Sequence, residues 1–501
     1  MEKLKVLIGG QWIESKADKY MDIYNPSRGE IIAQTPCCTV EEVDRAVSAA
    51  KEAFAAWSVT PVMKRVQVLY KLHALLDANL ESLTRLVATE NGKSWDDAMG
   101  DVLKAKEATE VACNMPTMLM GESLWNTSAG YDTVMAREPV GVFAGIVPFN
   151  FPAMIPMGWM VPLCIAAGNT IVMKAASMTP MTCMRIAELY QEAGLPDGVI
   201  NIVTCSRKEA DLLMEHPDIA GISFVGSTGI GLHIYEKAAA HGKRVQALCE
   251  AKNHALVMED APIGRTAKGI INSAFGCAGE RCMALPAVAV QESVADQLVE
   301  ALVKYSKERK IGLAYEKTTE LGPVVSAGHK KFVEDWIQKG VDEGAKLVLD
   351  GRNPSVPEEC RGGYYIGPTI FDHVKPGMSV GDQEIFGPVL CIKRVKTFEE
   401  GLALMNGNEF ANGSVIYTQN GYYSREFAFR TDGGMVGINV GIPVPIGVFP
   451  FSGHKRSFFG DLHCLGKDGV RFYTKTKSVT THWFDEEDLK AEKISSWDGT
   501  I

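Results

Sequence analysis

No aspartate, glutamate, lysine or arginine occurs between Glu138 and Lys174 in this chain of 501 residues. An uncharged run of that length is the first mark of a membrane span. Its interior excludes one. Pro148, Pro152, Pro156 and Pro162 punctuate the run, and Asn150 and Asn169 sit inside it. Prolines so closely spaced would repeatedly break the backbone bonding that a lipid-exposed helix must keep. The run reads as buried strand, loop and helix.

Other shortages narrow the field further. There is no CxxC pair, which excludes a zinc ribbon or a thioredoxin-type motif, and no metal site is expected. Twelve cysteines are too few for a disulfide scaffold, and most read as buried small hydrophobes. There is no excess of positive charge. Lys+Arg number 51 against Asp+Glu 61, a formal net charge of −10, which argues against general nucleic-acid binding. A local basic pocket for a small anion is still compatible with that balance. After Met1–Lys5 only Val6–Ile8 is apolar before Gly9-Gly10, so no signal-peptide core is expected and a cytoplasmic setting follows. Internal repeats and low-complexity tracts are absent as well.

What is present is an ordinary globular composition, 46% apolar and 22% charged, on a chain long enough for two to four domains. Val6–Ile8 and Gln11–Ile13 read as short strands around a glycine turn. From Val40 to about Asn114 apolar residues recur at helical spacing. From Val140 to about Val257 the pattern is βαβαβ. Strands are predicted at 142–144, 170–173, 199–203, 221–225 and 245–248, with a helix from Met181 to Ala193 stopped by Gly194-Leu195-Pro196. This predicts an α/β fold with parallel sheets. A second α/β cycle runs from Ala255 to about Asn439. The β-branched tail from Lys475 to Trp483 has no helix beside it and suits an edge that meets another subunit.

Four segments carry candidate chemistry. Gly226-Ser227-Thr228-Gly229-Ile230-Gly231 follows a strand and opens a helix, a place where backbone amides hold phosphate; a tight turn needing glycine accounts for it equally. Lys174 closes a strand and points into a ligand crevice or simply caps the strand in solvent. Cys282 follows glycine and small residues, and the adjacent Arg281 favours its thiolate; Cys277 competes for the nucleophile's role in the same segment. Glu384 and Phe386 suit a nucleotide's sugar hydroxyls and its base, or else a cap and a core ring.

Together, in chain order, Pro148-Phe149-Asn150-Phe151-Pro152, Lys174, Ala193-Gly194-Leu195-Pro196-Asp197-Gly198-Val199, Phe224-Val225-Gly226-Ser227, Gly279-Glu280-Arg281-Cys282, Glu384-Ile385-Phe386-Gly387-Pro388 and Pro450-Phe451-Ser452-Gly453 resemble the aldehyde dehydrogenase superfamily over nearly the whole chain. Within it, Ala251-Lys252-Asn253-His254, Gly279–Ala284 and Phe449–Gly453 followed by Ser457-Phe458-Phe459-Gly460 resemble the CoA-acylating methylmalonate/malonate semialdehyde dehydrogenases. The resemblance implies a Rossmann-like dinucleotide domain (1–123, 138–251 and 456–474), an α/β catalytic domain (252–455) and a small β oligomerisation segment (124–137 and 475–501) that makes dimers or tetramers. It implies Cys282 as nucleophile and Asn150 as oxyanion donor. NAD or NADP would be held by Val147, Pro148, Phe149, Lys174, Ser177, Gly226, Ser227, Glu384 and Phe386. Coenzyme A would accept the acyl group, with loss of carbon dioxide for a malonate-type substrate.

Three departures from that pattern are visible. Leu248 stands where hydrolytic relatives carry a glutamate base, and Glu250 stands two residues on, where the subfamily has glycine, as a possible substitute base. Lys174-Ala175-Ala176-Ser177 lacks the glutamate that binds the adenosine ribose, so acceptance of NADP is expected. Of two arginines that bind the substrate anion, Arg281 keeps one and Lys104 replaces the other, which loses the bidentate fork. The alternatives are a non-acylating, NADP-dependent dehydrogenase of another small anionic aldehyde, of succinate semialdehyde or sulfo-aldehyde type, with Glu250 as base, and a catalytically silent relative.

Overall fold

The computed structural model describes residues 2–490. Five apolar segments form the parallel centre of an eight-stranded sheet, in the order Ile200–Val203, Thr170–Lys174, Val142–Ile146, Ile219–Val225, Arg244–Leu248. The edges are antiparallel. Phe458–Gly460 pairs with Arg244–Leu248, and Val6–Ile8 pairs with Ile200–Val203. Val6–Ile8 also forms a hairpin with Gln11–Ile13, and its turn residues Gly9 and Gly10 both have positive φ (61° and 79°), the conformation that a two-residue hairpin turn needs.

Strand order positions the site. The chain lays down Val142–Ile146, adds two strands on one side, then crosses to add two on the other. The carboxyl end of Val142–Ile146 is therefore the topological switch, where α/β sheets open a ligand crevice. Val147–Asn150 leave that end. Lys174 ends one neighbouring strand, and Gly226-Ser227 follow the other.

The uncharged run is buried along nearly all its length. After Val142–Ile146 it forms a wide-turned helical segment, Met154–Met160, then the helix Val161–Ala166 with Pro162 in its first turn, then Thr170–Lys174. Asn169, wholly buried, accepts from the Val140 and Gly141 N–H groups and donates to the Cys164 and Tyr473 carbonyls. That network explains why an amide is tolerated there. No helix among the described residues is long and apolar enough to cross a membrane.

A second sheet has seven strands. Thr369–Asp372, Val389–Val395, Ala287–Gln291, His254–Val257, Gly413–Tyr417 and Met435–Ile438 run parallel, and Lys346–Leu349 is antiparallel at one edge. The helix Ile263–Phe275 leads from this sheet to the Cys282 loop.

The tail is a strand at a sheet edge. Thr474–His482 finds its partner inside the chain, pairing antiparallel along Tyr131–Pro139, which pairs in turn with Glu122–Ser128. The three strands form a separate sheet, of which Thr474–His482 is still an edge. Of the expected oligomerisation segment, 491–501 lies outside the described residues.

Candidate active site

Cys282 sits where two cavities meet. One, of about 230 Å³, is lined by Pro148, Phe149, Asn150, Gly226, Ser227, Glu250, Cys282, Glu384 and Phe386, among others. It shares Pro148, Val225, Gly226 and Ser227 with a further cavity that reaches Val147 and Lys174. Together they make one cleft from Lys174 to Cys282, along the carboxyl ends of the central strands. On the other side of Cys282, a cavity of about 210 Å³ holds Arg281, Lys104 and Cys277, the acids Asp96, Asp97 and Asp101, and apolar residues that include Phe151, Trp159 and Phe451. The structure thus gathers the candidates that the sequence scatters over nearly 300 positions. Ser177 is the exception, since it lies outside the lining of these cavities.

The loop that delivers Cys282 is tightly built. Cys277 and Ala278 have φ of 52°, Gly279 has φ of 75°, and a Cβ on Gly279 would lie 2.1 Å from the Gly387 carbonyl oxygen. Asn150 Nδ2 donates to the Glu280 carbonyl at 3.0 Å, which fixes the amide beside the loop. Asn253 Nδ2 donates to the Cys282 carbonyl at 2.7 Å, and Asn412 Nδ2 does so at 3.3 Å. These two asparagines escaped the sequence reading. Asn253 belongs to the Ala251-Lys252-Asn253-His254 motif, which was the available signal; Asn412 had none. The buried Glu280 carboxyl accepts from the Val325 N–H at 3.1 Å, and burial pushes it well above the usual carboxylate range.

Charge in the site departs from the adjacency argument. Burial pushes the Cys282 thiol up to about 12, with Glu384 adding to the effect, while Arg281 and the Cys282 N–H oppose it and lose. Burial thus favours the neutral form of the Cys282 thiol. Arg281 is partly committed elsewhere. One nitrogen donates to the Asn272 carbonyl at 2.7 Å, another lies 3.9 Å from Asp97, and Nε is buried with no partner among the described residues. Lys104 pairs with Glu107 at 2.5 Å. Cys277 is buried, its thiol is also pushed up to about 12 by burial first, and its N–H donates to Asp97. It lines the same cavity as Cys282.

The cleft fits a dinucleotide, with one unusual feature. Lys174 is largely buried at its strand end, and burial holds its ammonium below the usual lysine value. Arg207 lines the same end of the cleft, a cation that the sequence reading passed over. Glu384 accepts from the Ala251 N–H at 3.2 Å; burial, with the Glu250 charge second, pushes it up to about 8. Phe386 adopts φ of 59°, and its carbonyl accepts from His329 Nε2 at 2.7 Å. Glu250 is the unusual feature. Its carboxylate accepts from the Thr228 N–H at 3.1 Å, at the N-terminus of helix Thr228–Ala240, where a diphosphate would otherwise find amides. That bond ties its carboxylate to the helix end, within the same cavity that Cys282 lines. Leu248 is buried core, with no carboxylate in its place.

A parallel sheet with its crevice at the strand switch, a thiol at the foot of that crevice and an amide beside the thiol define a dinucleotide-linked enzyme of the thioacyl type. The sequence profile of the Aldehyde dehydrogenase family matches residues 12–479, and the chain belongs to that family. It is 50% identical over 483 residues to Malonate-semialdehyde dehydrogenase 1 of Geobacillus thermodenitrificans (strain NG80-2), covering 96% of this chain and 99% of the relative. Among solved structures it is similar to a protein of Sinorhizobium meliloti 1021 assigned as a methylmalonate-semialdehyde dehydrogenase and complexed with NAD (TM-score 0.95, 39% identity, 97% of this chain and 99% of that one). It is equally similar to the methylmalonate-semialdehyde dehydrogenase of Oceanimonas doudoroffii (TM-score 0.95, 40% identity, 98% and 100%).

Proposed function

We propose that the chain oxidises a small anionic aldehyde of malonate or methylmalonate semialdehyde type with NAD(P) and passes the acyl group to coenzyme A, giving acetyl-CoA or propionyl-CoA and carbon dioxide. The observation that carries the reading is the placing of Cys282 between the dinucleotide cleft and a cavity whose cations are Arg281 and Lys104. The identities to named semialdehyde dehydrogenases support the substrate class.

In this reading Arg281 and Lys104 hold the substrate carboxylate and aim the aldehyde carbon at Cys282. The thiol gives up its proton to solvent as its sulfur bonds to the aldehyde carbon. The Asn150 amide and the Cys282 N–H hold the resulting oxyanion. The cleft would hold the nicotinamide of NAD(P) beside that carbon, where it would supply the hydride acceptor. Glu384 holds the nicotinamide ribose, with Phe386 and Phe149 beside the ring. Val147, Pro148, Gly226, Ser227 and Lys174 serve the diphosphate and adenosine, and Lys174 with Arg207 offers positive charge to a 2′-phosphate. The Cys282 thioester of a malonate loses its β-carboxylate by breaking the carbon–carbon bond, and the carbanion so formed takes a proton. Coenzyme A sulfur then displaces Cys282. Leu248 supplies no base for water.

Residues 1–123, 138–251 and 456–474 form the cofactor half and 252–455 the catalytic half, while 124–137 and the described part of 475–501 join subunits into a dimer or tetramer in the cytoplasm. The test follows the absorbance of reduced cofactor and the acyl product, with and without coenzyme A. Product formation should depend on coenzyme A; comparable turnover to the free acid without it overturns the reading.

A further inference from the structure

Outside the dinucleotide cleft and the Cys282 cavity lies a third space of about 740 Å³, at the N-terminal end of helix Ile263–Phe275. Its wall is cationic and aromatic. Arg265 and Lys268 project from the first turns of the helix, both exposed. Lys268 Nζ stands 5.0 Å from the centre of the Tyr305 ring, and Lys304 Nζ stands 5.7 Å from it on the flank. The residue before the helix, Pro262, offers no side-chain cap, so the first amides of the helix are left to a ligand or to water. The acid on the adjoining turn, Asp260, is already committed to Thr418 Oγ1 at 2.8 Å and the Gln419 N–H at 2.9 Å.

Two polar groups in this wall are unexplained by the fold. The Tyr417 hydroxyl and Thr266 Oγ1 are buried and have no hydrogen-bond partner among the described residues. Such groups cost free energy unless something satisfies them. The Tyr417 hydroxyl is flanked by two glycines of the same wall. A Cβ on Gly269 would lie 2.8 Å from it and one on Gly441 3.1 Å, so side chains there would crowd it.

The space adjoins the catalytic cavity. Gly441 lines the one and the next residue, Ile442, lines the other, and Ser273 Oγ holds the Gly441 carbonyl at 2.8 Å. Helix Ile263–Phe275 runs from this space to the Cys282 loop over about 20 Å, at ~1.5 Å per residue. A ligand anchored here by phosphates and a base, with a thiol on a long arm, matches that layout.

We propose that this space anchors the phosphorylated nucleotide end of coenzyme A, so that the acyl acceptor approaches Cys282 from the side opposite the dinucleotide. The proposal rests on the acyl-transfer reading above. The step needs no oxidant. The acceptor sulfhydryl loses its proton, its sulfur bonds to the acyl carbon, the carbon–sulfur bond to Cys282 breaks, and the Cys282 thiolate takes up a proton.

The test uses the full chain, the double variant Arg265→Ala/Lys268→Ala and adenosine 3′,5′-bisphosphate as probe. In wild type saturated with NAD, calorimetry should show the probe binding, and in steady state it should compete with coenzyme A but not with NAD. The variant should lose probe binding and raise KM for coenzyme A about 10-fold or more, as expected on losing charge-assisted contacts. Its KM for aldehyde and NAD should be unchanged. Competition of the probe with NAD, or an unchanged KM for coenzyme A in a variant that still requires it, overturns this placement and leaves acyl transfer intact. A wild type indifferent to coenzyme A overturns acyl transfer itself.

Discussion

Glu384 and Glu250 place two carboxylates in one cleft. Glu384 sits at about 8 because burial disfavours its charge and Glu250 repels it. Its ionised form is the better acceptor for ribose hydroxyls. KM for NAD should therefore fall as pH rises through about 8, where the proton leaves. In Glu250→Gln the repelling charge is gone, so the midpoint should move down and KM at neutral pH should drop. A pH profile of KM with the same midpoint in both proteins would remove Glu250 from the cleft's electrostatics. At the oxyanion, Asn150→Ala should cut kcat by about 10²–10³, the usual cost of one such donor, with KM little changed. Steady-state kinetics with an intact far-ultraviolet spectrum checks this. Residue identity marks which groups carry the chemistry. It does not set their state, because Arg281 beside Cys282 is one charge against the burial of the whole thiol.

At the scale of elements, the five-strand alternation was legible because each strand is a short apolar run closed by a turn signal, and order in the chain gave order of function. The loop around Cys282 was legible only as a string of small residues. Its shape depends on contacts far away in sequence, such as Gly279 against Gly387, Asn253 and Asn412 on the Cys282 carbonyl, and Asn150 on Glu280. No local spacing encodes these. Gly279→Ala tests the loop as a unit. Its φ of 75° and the Gly387 oxygen leave no room for a methyl group. Stability should drop by more than ~1 kcal/mol, and kcat should fall further than stability alone explains because Cys282 shifts. An unchanged melting temperature and kcat would show that the loop relaxes freely.

The whole molecule presents apolar surface that one chain does not cover. In the three-stranded sheet Leu124, Trp125, Val134 and Val479 are exposed, Trp125 at 79%. At the free edge of the seven-stranded sheet, Met435–Ile438 turns Val436 and Ile438 outward. Exposed strand edges and contiguous apolar side chains are costs that a monomer ordinarily avoids with charge, proline or a covering element. Here Lys475 and Lys477 guard one strand only in part. The two surfaces have the same chemistry, a sheet edge and a row of β-branched or aromatic side chains, so each can cover the other in a second copy. The wild type should sediment as a dimer or tetramer at micromolar concentration. Leu124→Asp with Val479→Asp places two charges in that contact without touching the cleft or Cys282. The variant should sediment as a lighter species while keeping its far-ultraviolet spectrum. A wild type that sediments as a monomer, or a variant of unchanged mass, would show that these strands face solvent and that 124–137 and 475–490 join nothing.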